Sequence, residues 1–244
     1  MAKQIILIAG NICAGKSYTV NYIANNKSQF NLFLNSEESI QIVPEFIDPI
    51  ARKAFYNNRK DNSAIFELSC LSGRIVRHLD AKGELTNPDN HLYFFDRGMI
   101  EGAETFCLNS FKDGFMSHQE YKLYLDTLKM GLDRLDRSQQ NKWLEQIIIY
   151  LEVKDEKILA ERQRLRADKT KEELIPLSYF RQINDRYHYF FENIDNVYDK
   201  YGVNAPQVIS IDASWDIISP KDHHKVTLEK IIEKMKEMNI NGKR

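Results

Sequence analysis

Gly10-Asn11-Ile12-Cys13-Ala14-Gly15-Lys16-Ser17 is the stretch that decides the fold. It fits the pattern G-x-x-x-x-G-K-[ST], and its surroundings fit too. The apolar run Ile5-Ile6-Leu7-Ile8-Ala9 stands before it, and a helix-compatible stretch, Tyr18 to Ala24, follows. A loop between a strand and a helix turns its backbone N–H groups inward as a nest for anions. Lys16 adds a positive charge at the outer phosphates of a nucleoside triphosphate, and Ser17 offers a hydroxyl to Mg²⁺. A tight glycine turn accounts for Gly10 and Gly15 but leaves the Lys-Ser pair unexplained. Binding of a nucleoside triphosphate with Mg²⁺ is the expectation, and Gly10 through Ser17 are its first candidate residues.

Outward from the loop, the apolar runs 40–44, 91–95, 147–152 and 207–211 join 4–9 as candidate strands. They are continuous rather than alternating, as in parallel strands covered on both faces. Helical periodicity runs over 63–78, 120–136 and 179–198. Strands alternating with helices predict an α/β fold, a five-stranded parallel sheet with helices on both faces. No internal repeat or low-complexity block interrupts the chain. Residues 1–220 are expected to form a single domain, followed by a charged helix and tail over 221–244.

The 244 residues, 43% of them hydrophobic, suffice for one core. A net charge of −1 offers no basis for sequence-independent nucleic-acid binding. Cys13, Cys70 and Cys107 fit neither a metal spacing nor a disulfide framework. No apolar run approaches the roughly 18 residues a membrane span needs. Met1-Ala2-Lys3-Gln4 leads straight into a strand and leaves no room for a signal peptide, so the cytoplasm is the expected compartment.

Ligands of open parallel sheets sit outside the carboxyl ends of the strands. After the first strand comes the phosphate loop, after the second Pro44-Glu45-Phe46, and after the third Asp96-Arg97-Gly98. Glu161-Arg162-Gln163-Arg164-Leu165-Arg166 follows the fourth, and Asp212-Ala213-Ser214-Trp215-Asp216 ends the fifth. Charged groups therefore stand wherever phosphoryl transfer needs them: a carboxylate to take a proton, carboxylates for a metal, and cations for migrating charge.

With these residues, the chain resembles the deoxyribonucleoside kinase family, especially its compact bacterial members. The resemblance runs from Lys3 to about Trp215. Besides the phosphate loop and Pro44-Glu45, it takes in Asp48-Pro49 through Phe55-Tyr56, Phe66-Glu67-Leu68 with Arg74, and Asp96 through Phe106. The arginine-rich segment and Glu172-Glu173-Leu174-Ile175-Pro176-Leu177-Ser178-Tyr179 complete it. It implies a P-loop kinase fold with an arginine-rich lid over about 162–173. It also implies ATP as phosphate donor, Mg²⁺, a deoxynucleoside acceptor and a homodimer formed through two long helices. Glu45 would be the base that activates the sugar 5′-OH. Asp96 would hold Mg²⁺ with Ser17, and Arg97 would keep Glu45 and the acceptor in register. Arg162, Arg164 and Arg166 would bring charge to the transferring group, with Arg162 and Arg166 sharing one helix face at i, i+4, assisted by Lys169 and Lys171. Tyr56 and Glu172 would bind the sugar 3′-OH, Phe46 and Phe66 would wall the base, and Trp215 with Asp212 would hold the donor's adenine.

The chain departs from the family pattern where the base is read. The family places a Gln, an Arg seven residues later, and an Asp six residues after the acidic residue of the Asp-Arg pair. Here those positions are Glu67, Arg74 and Gly102, and Gly98 replaces a serine. An ionised Glu accepts hydrogen bonds only, which favours guanine with its adjacent N1–H and amino group. Space freed at Gly102 would also suit a purine, so deoxyguanosine is the first expectation and thymidine the second. Alternatively, Glu67 is consumed in a salt bridge to Arg74. A nucleoside monophosphate kinase acting on thymidylate is the rival enzyme reading. A non-catalytic nucleotide-binding module is the more distant one, against which Glu45, Asp96-Arg97 and the arginines argue.

Overall fold

The computed structural model of the chain describes residues 4–33, 40–45, 47–82, 92–136, 144–170, 174–215 and 220–237. Five strands form one all-parallel sheet: β1 (Gln4–Ala9), β2 (Ile40–Val43), β3 (Leu92–Asp96), β4 (Ile147–Glu152) and β5 (Gln207–Asp212). Their order is β2-β3-β1-β4-β5, with β1 in the centre. Residues Ile5 to Ala9 are at most 1% exposed, so both faces of the central strand are covered. Each of its side chains contributes about 1.5–3 kcal/mol if it is a large aliphatic. β2 and β5 differ from the expectation of full burial. They are the edge strands, and β5 alternates, with Ile209 and Ile211 buried and Gln207, Ser210 and Asp212 exposed.

Among the described residues, α1 (Lys16–Asn25) packs on β1, β2 and β3 and against α10 (Pro220–Glu237). Two long helices, α3 (Arg59–Lys82) and α6 (His118–Asp136), pack on each other, and α2 (Pro49–Asn57) packs on α3. α2 begins where the sequence signals it: Asp48 Oδ1 accepts from the N–H groups of Ile50 and Ala51 at 2.7 and 3.2 Å, with Pro49 in the first turn. After β3 the chain enters α4 (Met99–Gly102), a π-helical turn (Ala103–Cys107) and α5 (Leu108–Lys112).

Helix α7 (Glu156–Thr170) carries the arginine-rich segment. The single helix expected over 179–198 is two, α8 (Leu177–Glu192) and α9 (Ile194–Asp199). The break is at Asn193, whose backbone leaves the helical region and whose side chain donates to the Tyr189 carbonyl, a local bond that competes with the helix. α8 buries Tyr179, Phe180, Ile183, Asn184, Tyr187 and Phe190, a stripe that puts Asn184 and Tyr187 against the phosphate loop. No described helix is long and apolar enough to cross a membrane.

Candidate active site

The sheet register gathers the site. Ile8 lies beside Asp96 and Val43 beside Phe95, so Gly10, Glu45 and Arg97 leave neighbouring strands at one edge. The phosphate loop turns sharply out of β1. Gly10 has φ 150°, and a Cβ there would meet the Leu151 carbonyl at 2.9 Å. Gly15 has φ 103°, caps α1, and lies so close to the Trp215 ring that a Cβ would stand 3.0 Å from it. Only glycine suits both demands. Asn11 locks the loop by donating to the Phe180 carbonyl and to Asn184 Oδ1, both at 2.8 Å, while its Oδ1 accepts from the N–H of Ile12.

Lys16 is buried, and its Nζ donates to the carbonyls of Gly10 and Asn11 at 3.0 and 2.8 Å. Burial and then the nearby Arg97 charge lower its pKa to about 8. Ser17 Oγ donates to Asp96 Oδ2 at 3.1 Å, while Asp96 Oδ1 is buried with no hydrogen-bond partner among the described residues. Burial raises the Asp96 carboxyl, with the Lys16 charge opposing. An orphaned carboxylate oxygen beside a serine hydroxyl suits a hard cation that takes its remaining oxygens from phosphates and water.

Glu45 is held from two sides. Arg74 Nη2 donates to Oε1 at 2.9 Å, and Arg97 Nε donates to Oε2 at 3.2 Å. Burial pushes the Glu45 carboxyl up, but Arg97, Arg74 and Lys16 together outweigh it and hold the group below the usual carboxylate range. Arg97 itself adopts φ 72°, a conformation that costs a non-glycine residue about 1–3 kcal/mol. Its N–H bonds to the Ile8 carbonyl, its guanidinium stacks on Phe106 at 4.1 Å, and its Nη1 donates to Glu101 Oε1 and the Tyr187 hydroxyl. That hydroxyl also bonds Glu101 and donates to the Gly10 carbonyl. Glu101 and Tyr187 thus join the phosphate loop to Arg97. Sequence reasoning missed both. Glu101, four residues after Arg97 on a helix, was discoverable, whereas Tyr187 gives no local signal.

A cavity of about 440 Å³ runs through these groups. Lys16, Ser17, Glu45, Arg97, Tyr56, Phe66, Glu67, Arg74, Arg162, Arg166 and Trp215 all line it. Phe106, Tyr179 and Cys70 line it without having been foreseen. Phe46 and Glu172 lie outside the described residues, as does Lys171.

The structure departs from the expectations at several residues. Arg164 is exposed and is not among the lining residues, because α7 continues unbroken past it and its position faces away. Arg162 is buried under the loop rather than presented to the cavity alone. Its guanidinium donates to the carbonyls of Cys13, Ala213 and Trp215 and lies 4.3 Å from the Trp215 ring. Asp212 accepts from the Ser214 N–H and belongs to a separate, smaller depression, although Trp215 borders both. Gly102 frees no space, since a Cβ there would overlap Arg74 Nη1. The alternative salt bridge between Glu67 and Arg74 is not formed either. Arg74 turns to Glu45, and among the described residues the hydrogen bond to Glu67 is a long one, from Ser110 Oγ at 3.5 Å. Burial raises the Glu67 carboxyl to about 7 against the charges of Arg74 and Arg97.

A solved structure of deoxyadenosine kinase from M. mycoides with bound dATP superposes with a TM-score of 0.64, covering 96% of this chain and 100% of that one at 22% identity, a likeness of fold. The model of the deoxynucleoside kinase family matches residues 6–238. With that match spanning the sheet, the phosphate loop and the cavity, the chain belongs to the deoxynucleoside kinase family, enzymes that phosphorylate nucleosides.

Proposed function

We propose that this protein transfers the γ-phosphoryl group of ATP to the 5′-hydroxyl of a deoxyribonucleoside, a step of nucleotide salvage. The observation that carries the reading is the Glu45 carboxylate. It stands between two guanidinium groups on the wall of a cavity whose other end is Lys16 and Ser17. A carboxylate held ionised at neutral pH is ready to accept the hydroxyl proton as the hydroxyl attacks. Arg97 fixes its angle, and Lys16 leaves its two carbonyls for the phosphates when nucleotide enters. Mg²⁺ would be held by Asp96 and Ser17 and would neutralise charge on the donor phosphates. Arg166, at the cavity wall, supplies a further cation, whereas Arg162 supports the loop's shape. Tyr56, with Glu172, is taken to bind the sugar 3′-OH, and Phe66, with Phe46, to flank the base.

The region 1–220 acts in this reading as one kinase domain with a lid over 162–173. Ile65 and Val76 on α3, and Leu123 and Met130 on α6, are exposed apolar residues on the two helices that pack together, and they support a homodimer formed there. A purine is the favoured base. A deoxyadenosine kinase is among the proteins of similar fold, and the polar groups lining the cavity beside Phe66 include Glu67 and Arg74.

The test is an assay of purified protein with Mg-ATP against the four deoxynucleosides and their monophosphates. Formation of a deoxynucleoside 5′-monophosphate, abolished in Lys16→Ala, supports the reading. Phosphorylation of monophosphates alone supports the rival kinase class, and no turnover with any of them refutes both.

A further inference from the structure

Phe55, Tyr56, Phe66 and Tyr179 form an aromatic wall of the cavity. Behind it stands Arg59, the first residue of α3, which is not among the described residues that line the cavity. Its guanidinium lies 4.1 Å from the centroid of the Tyr179 ring, 5.1 Å from that of Phe115 and 5.6 Å from that of Phe55. Phe55 in turn stacks on Phe66, with centroids 4.4 Å apart and planes 21° from parallel. Nε and Nη2 of Arg59 are buried without hydrogen-bond partners among the described residues. Asp113 Oδ2 stays 4.0 Å from Nη2, too long for a hydrogen bond. Asp113 is occupied elsewhere, accepting from Asn109 at 3.1 Å and from Gln182 at 3.2 Å. The ring faces are therefore what offsets the burial of this guanidinium.

We propose that Arg59 is a positioning residue for the acceptor: by stacking on Tyr179 it holds the corner between α2 and α3, with Tyr56, Phe55 and Phe66, against the start of α8. It thereby sets the nucleoside side of the cavity without touching the nucleoside. This rests on the reading of the cavity as a deoxynucleoside site.

The contacts of Arg59 join three segments that are far apart in sequence. Phe55 belongs to α2, Phe115 to the turn after α5, and Tyr179 to the first turn of α8. Two of these rings, Phe55 and Tyr179, face the cavity, so a shift of either changes its width. Tyr179 is 2% exposed and cannot move without disturbing its neighbours. None of these contacts reaches the phosphate loop, which Asn11, Arg162 and Tyr187 hold in shape. Loss of the stack is therefore felt at the acceptor end and not at the donor end.

The experiment is a double-mutant cycle over wild type, Arg59→Met, Tyr179→Leu and the double variant. Its probes are ATP and whichever of the four deoxynucleosides wild type phosphorylates best. Dissociation constants for both probes are measured, with kcat and KM alongside. Arg59→Met should weaken nucleoside binding about 5–30-fold, the scale of a partly desolvated cation–π contact. The loss should appear in KM for the nucleoside, while kcat and the ATP dissociation constant change less than about twofold. In the Tyr179→Leu background the same substitution should have less than about a twofold effect, because the contact it acts through is gone. An undiminished effect there, an equal loss of ATP affinity, or an unchanged nucleoside constant in Arg59→Met overturns the proposal. Should Arg59→Met not fold, Arg59→Lys, which keeps a positive charge and loses the planar face, goes through the same cycle under the same criteria. If wild type binds none of the four deoxynucleosides, the assignment of the cavity falls, and this proposal with it.

Discussion

Arg74 holds Glu45 from across the cavity, donating through Nη2 to Oε1 at 2.9 Å, and it can do so because residue 102 has no side chain. A Cβ at position 102 would overlap Arg74 Nη1, so the glycine and the ion pair are one arrangement. The Nη1 and Nε atoms of Arg74 are buried without partners among the described residues, and in the proposed reading they are donors for a bound base. In the proposed reading, the arginine links the base end of the cavity to the carboxylate that would take the proton.

Gly102→Ala should therefore act on catalysis more than on folding. The added methyl must push Arg74 away from Glu45, at a cost of about 1–3 kcal/mol in a packed interior. We expect kcat/KM to fall about 10–100-fold, as for a displaced positioning group, with circular dichroism unchanged. Wild-type kinetics in the variant would mean that the Arg74–Glu45 pair has no part in turnover.

Glu45→Gln should lower kcat by about 10²–10⁴, the range for losing a general base. Because Arg74 and Arg97 both donate to this carboxylate, the amide also leaves the buried Arg74 without its counter-charge and Arg97 with Glu101 alone. KM for the nucleoside is therefore expected to rise as well. The check is steady-state kinetics at saturating ATP. A kcat within a few-fold of wild type would remove Glu45 from the role of base.

The fold was legible because its signals are local. The phosphate loop, the five apolar runs and the residues following them place the strand ends and the charged groups without any knowledge of packing. What escaped is non-local. Tyr187 reaches Gly10 from 177 residues away, and nothing around it in sequence marks that contact. Arg162 has the right spacing for a lid arginine, yet its donors go to loop carbonyls. Gly102 looked like empty space because the side chain that fills it comes from another helix. The raised carboxyl of Glu67 escapes the sequence too, which carries the side chain's pKa in water and not its burial.

Tyr187→Phe should loosen the joint between donor and acceptor machinery. The hydroxyl bonds Gly10, Arg97 and Glu101, so its removal leaves the buried Glu101 one partner short. Such a loss costs about 1–3 kcal/mol. Thermal melting should report a lower Tm, and KM for ATP and for nucleoside should both rise, since both sites share the joint. An effect on Tm with kinetics untouched would make Tyr187 a structural residue only.

The stability of the nucleotide-free protein should carry the signature of Glu67. Its carboxyl is raised by burial from the usual range to about 7, so between about pH 4.5 and 7 the unfolded chain has released this proton while the folded protein keeps it. Where the unfolded state binds fewer protons, stability falls as pH rises. The contribution is thus fully present below the unfolded pKa and is lost as pH climbs through the folded one. A shift of this size corresponds to about 3 kcal/mol. Asp96 and Glu145 are raised too and Glu45 is lowered, so the total slope mixes several groups. The difference between wild type and Glu67→Gln isolates one. Urea unfolding of both proteins at about pH 5 and pH 7.5 should place the variant, relative to wild type, about 2–3 kcal/mol better at the higher pH than at the lower. A pH-independent difference would mean that Glu67 does not hold a proton in the folded enzyme near neutrality.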